Sequence, residues 1–387
     1  MIFPRQDDAA EPRPTPLYAA AASASTTNAW TSVNGWAVAR VYTALAEEYE
    51  AASGAAALVD LGPLCRYTVR GREAAAFLAR LTSCPVLELS VAESGRGLIL
   101  DAEGFVVDYA ELTRLSGDLF LLTTSMPADR RIRIAARGLD VETSNVGAMV
   151  ASLGVVGPQA REAAAAAGLD VMEADASAQG RMRGVELAVR PINFGAAPGL
   201  EIIFPAEDAL VIWERLRRKI ALPAAGLDAL DALRIEGGAP RPGVDFAGAD
   251  NAASMRLARR PEEIGLPHLA PPNRAWFSGR LAMRAAGEAR SRLAVLSVDC
   301  DQLPTGAPVH HRAEIIGAVT STAFSPRLRR VLCFAELKAG TSTNGLEIAL
   351  ADGTRVEARH FETAESRLAA AFQENLRMAT DRGRQPV

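Results

Sequence analysis

The sequence predicts an α+β protein that ends in a region of β-strands. Apolar residues at helical spacing alternate with short β-branched runs in the first part of the chain, whereas from Arg292 onward the apolar runs are short and strand-like. At 387 residues the chain is too long for one ordinary hydrophobic core, so two or three domains are expected. A composition of 49% hydrophobic and 23% charged residues is typical of globular proteins.

The first region alternates helices with strands. In one predicted helix Phe77, Leu78 and Leu81 share a face, and in another the pair Gly157-Pro158 precedes the first turn, where the missing N–H of proline is dispensable. Helices are predicted over residues 41–53, 72–81, 127–136, 159–167, 206–219 and 227–236. Strands are predicted over residues 58–61, 67–71, 98–100, 105–109, 119–123, 150–156 and 202–204.

The C-terminal region predicts a separate domain over residues 290–363. Its strands are expected over residues 293–298, 315–321, 331–335 and 346–349. Residues 364–387 are expected to form a helix and tail. In that helix Leu368, Phe372 and Leu376 share one face, which predicts packing on the core.

Charge and cysteine usage restrict the function classes. A net charge of −4 gives no electrostatic basis for binding nucleic acid or an anionic membrane. The four scattered cysteines, without a CxxC pair, predict a reduced cytoplasmic protein. No apolar run reaches the ~20 residues that span a bilayer. Residues 1–14 are charged and rich in proline, which predicts a disordered leader rather than a signal peptide.

The histidines do not predict a metal site. His310 and His311 are adjacent, and neighbouring strand residues point to opposite faces, so they are not expected to share a metal ion. His268 and His360 stand far from them in sequence. Neither a P-loop nor a GxGxxG motif is present.

Residues 317–326, Gly-Ala-Val-Thr-Ser-Thr-Ala-Phe-Ser-Pro, are the most informative segment. By themselves they predict a strand stopped by Pro326, because proline cannot donate to a ladder. The segment also resembles "G-x-(V/I)-T-S-G-x-(F/Y)-S-P" near the C-terminus of the glycine-cleavage T-protein family, the folate-dependent aminomethyltransferases.

Further segments resemble the same family in the same order from residue 15 onward. The matching segments are Thr15-Pro-Leu-Tyr18, Gly35-Trp36, Leu58-Val-Asp-Leu61, Gly104-Phe-Val-Val-Asp108, Val156-Gly-Pro-Gln-Ala160, Gly199-Leu-Glu-Ile202, and Ala224-Ala-Gly-Leu227 followed by Asp231, Arg234 and Glu236. The resemblance implies two interleaved α+β domains over residues 15–285, around a central channel that holds tetrahydrofolate, and a C-terminal β-barrel. Asp231, Arg234 and Glu236 are expected to form a structural ion-pair lattice rather than to catalyse.

The resemblance implies a cofactor-binding role for Glu201. This residue stands in the "G-F-E" segment, where the family carries a glutamate that holds the pterin. A carboxylate suits a pterin because its two oxygens can accept two parallel N–H bonds.

The catalytic candidates are Asp108 and Tyr109. The family carries two adjacent aspartates here, of which the second acts near folate N5, and this chain has Tyr109 at the second position. Because successive strand residues point to opposite faces, Asp108 is not expected to substitute without a change of register, so Tyr109 is expected to face the channel. A tyrosine hydroxyl, with a pKa near ~10, is a poor base.

Other departures fall at positions where the family contacts folate or its donor. Arg96 stands in place of a tyrosine, and residues 190–195 replace the segment "R-T-G-Y-T-G-E". Arg96 and Arg190 could bind a carboxylate of the donor or of the glutamate tail of folate. Trp36, in the early "G-W" pair, is a further candidate for cofactor binding.

Three functions remain open from the sequence. The first is a tetrahydrofolate-dependent transferase, a demethylase that moves a methyl group from a small methylated donor, because alignment matters more than acid–base power in that reaction. The second is a glycine-cleavage aminomethyltransferase. The third is a non-catalytic folate-binding or regulatory protein. Neither the donor nor the oligomeric state follows from the sequence.

Overall fold

A computed structural model describes residues 11–169, 178–274 and 276–382. The helices are α1 (Tyr18–Ala24), α2 (Leu45–Gly54), α3 (Ala74–Leu81), α4 (Asp129–Ala135), α5 (Ala160–Ala166), α6 (Ala209–Ile220), α7 (Leu227–Gly237), α8 (Arg280–Ala285) and α9 (Ala364–Arg382). The strands up to the middle of the chain are β1 (Arg13–Pro14), β2 (Ala29–Val33), β3 (Trp36–Val41), β4 (Ala57–Asp60), β5 (Cys65–Arg70), β6 (Ser94–Leu100), β7 (Val106–Arg114), β8 (Leu119–Thr124), β9 (Glu142–Asn145) and β10 (Val150–Val156). The later strands are β11 (Ala178–Met182), β12 (Val185–Phe194), β13 (Ala197–Pro205), β14 (Ser291–Val298), β15 (Pro308–His311), β16 (Glu314–Ser325), β17 (Arg330–Lys338), β18 (Leu346–Ala349) and β19 (Arg355–His360).

The first large sheet has the order β11-β12-β13-β10-β4 and is antiparallel throughout. One face packs on α1, α5 and α6, with Trp213 at the centre of that core. The opposite face packs on α2 and α7, where Tyr49 and Leu233 are buried. Both faces are therefore largely buried, and most of the side chains on these strands are apolar.

The second large sheet has the order β6-β7-β8-β5-β9 and lies in sequence between β4 and β10 of the first. Phe77 and Leu78 of α3 and Ile132 of α4 cover its outer face. The two α+β units are therefore interleaved along the chain.

The C-terminal strands close into a barrel in the order β14-β17-β16-β15-β18-β19. Apolar residues such as Leu296, Val309 and Ile348 fill its interior. Helix α7 packs on the outside of the barrel, where Ile235 contacts Leu332 and Phe334.

The structure confirms the α+β class with a C-terminal barrel, and the predicted helices and strands all occur, with shifted ends. Short elements before residue 45 were not predicted, nor were α8 and the strands β9, β11, β12, β15 and β19. Pro191 argues against a strand at β12, because proline is uncommon inside strands. Its missing N–H costs no hydrogen bond to β11, because β11 pairs with β12 only as far as Val189.

Both ends of the described chain differ from expectation. Residues 1–10 of the expected leader lie outside the described residues, while Arg13–Pro14 pair with β3. In α9, Leu368 is 53% exposed, so the buried apolar face predicted there is wrong at that position. The side chain of Leu376 lies outside the described residues. No helix in the described part of the chain is long and apolar enough to span a membrane.

Candidate functional site

The alternation of strand β7 separates the two catalytic candidates. Tyr109 and Glu111 share one face of β7, and Asp108 lies on the other. The Asp108 carboxylate accepts the backbone N–H groups of Tyr109 and Met126, each at 2.7 Å. Burial raises the pKa of Asp108 to about 7 against the lowering effect of these hydrogen bonds. The structure thus does not bring Asp108 and Tyr109 together on one face.

The side chain of Tyr109 is fixed by a hydrogen bond of its hydroxyl group. This hydroxyl donates to the carbonyl oxygen of Pro240 at 2.9 Å, and the ring packs among apolar residues. Burial first, and then the negative charge of Glu365, raise the pKa of Tyr109 well above its ordinary value. The side chain can orient or hydrogen-bond a neighbour, but it is not a base at neutral pH.

A row of charged side chains of alternating sign lies between the two large sheets. Arg66 Nη2 and Arg190 Nε each lie 2.5 Å from a different oxygen of Glu201. Ser152 Oγ donates to the Glu201 oxygen that Arg66 contacts, at 2.5 Å. Arg190 Nη2 also lies 3.4 Å from Glu111 Oε2. Burial alone would raise the pKa of Glu201, but the two guanidiniums outweigh it and hold that pKa at about 2.

The row continues to the C-terminal helix. Arg96 on β6 is the cross-strand neighbour of Glu111 on β7. Its Nη2 atom lies 3.4 Å from Glu365 Oε1 in the first turn of α9. His268 Nε2 lies 3.0 Å from the other oxygen of Glu365. We call Arg66, Glu201, Arg190, Glu111, Arg96, Glu365 and His268 the charged row.

A cavity of about 290 Å³ lies between the two large sheets beside this row. Its walls are mostly apolar, and Arg190 and Thr113 contribute polar groups. The lining residues are Val91, Ala92, Thr113, Arg114, Leu115, Leu121, Ala188, Val189, Arg190 and Ile203. Apolar walls with a few polar groups at one side are typical of small-molecule sites.

Trp36 lies in β3, which belongs to the small sheet β1-β3-β2 rather than to either large sheet. The guanidinium of Arg13 stacks 4.3 Å from the centre of its ring. The structure therefore places Trp36 on a different sheet from Glu201 and Arg96, and its assignment to the cofactor stays a prediction.

A second buried network joins α7 to the barrel. Asp245 accepts from Arg234 Nη1 at 2.7 Å and from Ser321 Oγ at 2.6 Å. Glu236 accepts from Tyr49 and from Ser325. Of the expected lattice, Asp231 and Arg234 form an ion pair, whereas Glu236 pairs with Arg327. Both serines of the segment 317–326 donate to this network, Ser321 to Asp245 and Ser325 to Glu236.

Sequence reasoning missed Arg66, Glu111, His268 and Glu365. Arg66 and Glu111 look like ordinary polar residues of amphipathic strands, and only the pairing of two sheets shows that they are buried. Among the described residues, no group of three or more His, Cys, Asp or Glu side chains is placed to hold a metal ion.

Comparison with known proteins agrees with the fold. Residues 20–260 match the GCVT N-terminal domain, and residues 291–364 match the glycine cleavage T-protein C-terminal barrel domain. The chain is 25% identical to the aminomethyltransferase of Thermotoga petrophila over 84% of this chain and 90% of that protein. It is 26% identical to the aminomethyltransferase of Moorella thermoacetica over 90% and 95%, respectively.

A solved structure has the same fold. The glycine cleavage system aminomethyltransferase T from Bartonella henselae superposes with a TM-score of 0.80 at 20% identity, covering 91% of this chain and 98% of that one. The N-terminal match covers the two large sheets, and the C-terminal match covers the barrel. The chain therefore belongs to the glycine cleavage T-protein family.

Proposed function

We propose that this protein is a tetrahydrofolate-dependent transferase that moves a one-carbon group from an aminomethyl donor, as the names of its relatives suggest. The observation that carries the proposal is the apolar cavity between the two large sheets, which is lined by Arg190, the ion-pair partner of the buried Glu201. A flat heterocycle needs apolar walls for its faces and fixed polar groups for its edge.

The residues present fit a folate. Glu201 uses three of its roughly four acceptor positions on Arg66, Ser152 and Arg190, which leaves one position on Oε2 for a pterin N–H rather than the two parallel bonds expected from the sequence. Arg190 lines the cavity and can face a carbonyl or carboxylate. When bound, tetrahydrofolate would supply the nitrogen that accepts the one-carbon unit, and the protein would align it with the donor.

Methyl transfer from a small methylated donor is a second candidate. The observation that favours it is Tyr109, which stands where the family carries an aspartate and whose hydroxyl is held by Pro240. A site without that carboxylate suits a donor that is already activated and needs alignment rather than proton transfer.

Anaerobic calorimetry with tetrahydrofolate tests the shared part of both candidates. Micromolar binding supports the proposal, and product analysis with aminomethyl and methyl donors then separates the two reactions. Binding without turnover on any donor class would identify a non-catalytic folate-binding protein. The absence of binding would overturn the proposal.

Replacing Glu201 by glutamine is expected to weaken tetrahydrofolate binding by ~1.5–3 kcal/mol, the range for a hydrogen bond to a charged group. Glutamine keeps the size of the side chain and one acceptor oxygen, so the fold is more secure than in the alanine variant. An unchanged dissociation constant in a folded Glu201→Gln protein would remove Glu201 from the pterin site.

Replacing Tyr109 by phenylalanine is expected to lower turnover and to leave the dissociation constant of tetrahydrofolate unchanged, if the hydroxyl serves the reaction. The loss of the bond to Pro240 should also cost ~0.5–1.5 kcal/mol of stability, measured by urea unfolding. Equal turnover together with that stability loss would make Tyr109 a structural residue.

A further inference from the structure

Two donors from separate segments converge on one carboxylate at the end of the charged row. Arg96 comes from β6 and His268 from the turn at Pro267–Leu269, and each approaches a different oxygen of Glu365. Glu365 lies in α9, one residue beyond the end of the matched barrel domain.

The contact between these groups is loose. The Arg96–Glu365 distance of 3.4 Å exceeds the ordinary 2.7–3.2 Å of an N–H···O bond, and only one guanidinium nitrogen takes part. His268 Nε2 lies 3.0 Å from Glu365 Oε2. Burial alone would raise the pKa of Glu365, but this contact, with the charge of Arg96, lowers it. The other ring nitrogen of His268, Nδ1, is buried and lacks a hydrogen-bond partner among the described residues. A buried polar atom without a partner is costly, so this arrangement is not the best that the two donors can make.

Arg96 is the guanidinium of the row that a ligand can reach. Its side chain is 35% exposed, whereas that of Arg190 is 3% exposed. The neighbouring negative charge of Glu111 is already balanced in part by Arg190. Arg96 is thus free to exchange one carboxylate for another without breaking the buried Arg66–Glu201–Arg190 core of the row.

We propose that Arg96 and His268 form a binding site for a ligand carboxylate, and that Glu365 occupies this site in the ligand-free protein. An incoming carboxylate displaces Glu365 and gains the bidentate geometry that a guanidinium prefers. The proposal rests on the proposed function for the identity of the ligand, because the carboxylate belongs either to the glutamate tail of folate or to the donor.

Binding measurements with Arg96→Gln and Glu365→Gln test the site. The probes are tetrahydrofolate, tetrahydropteroate (which lacks the glutamate tail) and propionate with propionamide as its uncharged control. Calorimetry reports the two pteridines, and the imidazole NMR signals of His268, assigned with His268→Gln, report propionate. Glu374→Gln is the matched control, because Glu374 is exposed on the same helix and carries the same charge.

The two variants should act in opposite directions. Arg96→Gln is expected to weaken, and Glu365→Gln to strengthen, binding of the same carboxylate by about tenfold, the equivalent of one charge-assisted hydrogen bond. If the change appears with tetrahydrofolate and not with tetrahydropteroate, the site takes the folate tail. If it appears only with propionate, the site takes the donor.

Carboxylate binding that neither variant changes by more than twofold would overturn the inference. So would an equal effect of Glu374→Gln, which would reduce the result to general electrostatics. Failure of both tetrahydrofolate and tetrahydropteroate to bind would instead overturn the proposed function, and the propionate arm would still decide whether the carboxylate site exists.

Discussion

Replacing Glu201 by alanine is expected to lower the free energy of unfolding by ~3–5 kcal/mol, the cost of removing one partner from a buried ion pair. Arg66 and Arg190 both lie against this carboxylate, and the side chains of all three residues are at most 3% exposed. The variant would leave the buried Arg66 without its ion-pair partner, and Arg190 would keep only Glu111, 3.4 Å away, as a counter-ion. Urea unfolding at pH 7 measures the loss.

Glu186→Ala is the matched control for this prediction. Glu186 is also on the first sheet and also pairs with an arginine, Arg181, but both side chains are largely exposed. An exposed pair is worth ~0–1 kcal/mol. Similar losses in the two variants would show that the burial of Glu201 does not matter for stability.

The same carboxylate should make stability depend on pH on the acid side. The folded-state pKa of Glu201 is about 2, below the ordinary 4.5, so its contribution is present above pH 4.5 and is lost as the pH falls toward 2. The difference in stability between wild type and Glu201→Ala should therefore narrow by roughly 2 kcal/mol between pH 7 and pH 3. A constant difference would contradict the ion-pair explanation. Asp108 acts in the opposite sense. Its folded-state pKa is raised from 3.8 to about 7, so the stability that its protonated form contributes is lost as the pH rises toward 7.

Replacing Asp245 by alanine is expected to lower the free energy of unfolding by ~3–5 kcal/mol, because it also removes one partner from a buried ion pair. The Asp245 carboxylate is fully buried and accepts hydrogen bonds from Arg234, Thr320 and Ser321. In the variant, the buried Arg234 keeps only Asp231, which contacts its Nε atom, as a counter-ion. The link between α7 and the barrel through Asp245 is lost as well. Thermal unfolding is expected to shift to lower temperature.

Asp228→Ala provides the comparison for Asp245. Asp228 lies on the same helix, α7, as Arg234, but its pair with Arg40 is exposed to solvent. A loss of ~0–1 kcal/mol is expected there. If Asp245→Ala costs no more than Asp228→Ala, the Asp245 network is not what fastens the barrel to α7.

The sequence predicts the elements that local patterns determine. Phe77 and Leu78 in α3, or the β-branched run of β16, carry periodicities that nothing else in the fold overrides. Prediction from local patterns fails at β12, because Pro191 argues against a strand until the pairing partners are known. The same holds for β7, which was predicted only to Tyr109 but continues to Arg114, because both of its faces are covered.

The site was predictable only where a motif singled out a residue. Glu201, Arg190 and Arg96 were identified, and all three lie in the charged row. The pairing of Arg96 with Glu365 joins residues 269 positions apart, and no local pattern contains that information. Glu365 itself looks like one more solvated glutamate at the start of an amphipathic helix.

The interleaving of the two large sheets sets the order in which a growing chain can complete them. Every ladder partner of β5 to β9 lies between Cys65 and Asn145, and the first and last of these strands are paired side by side. Strand β4, by contrast, was made earlier, yet its first ladder partner is β10. A chain that leaves the ribosome N-terminus first thus holds all the strands of the second sheet while β4 still has an open edge. The second sheet, although it begins later in the sequence than the first, is therefore the first to have all of its strands.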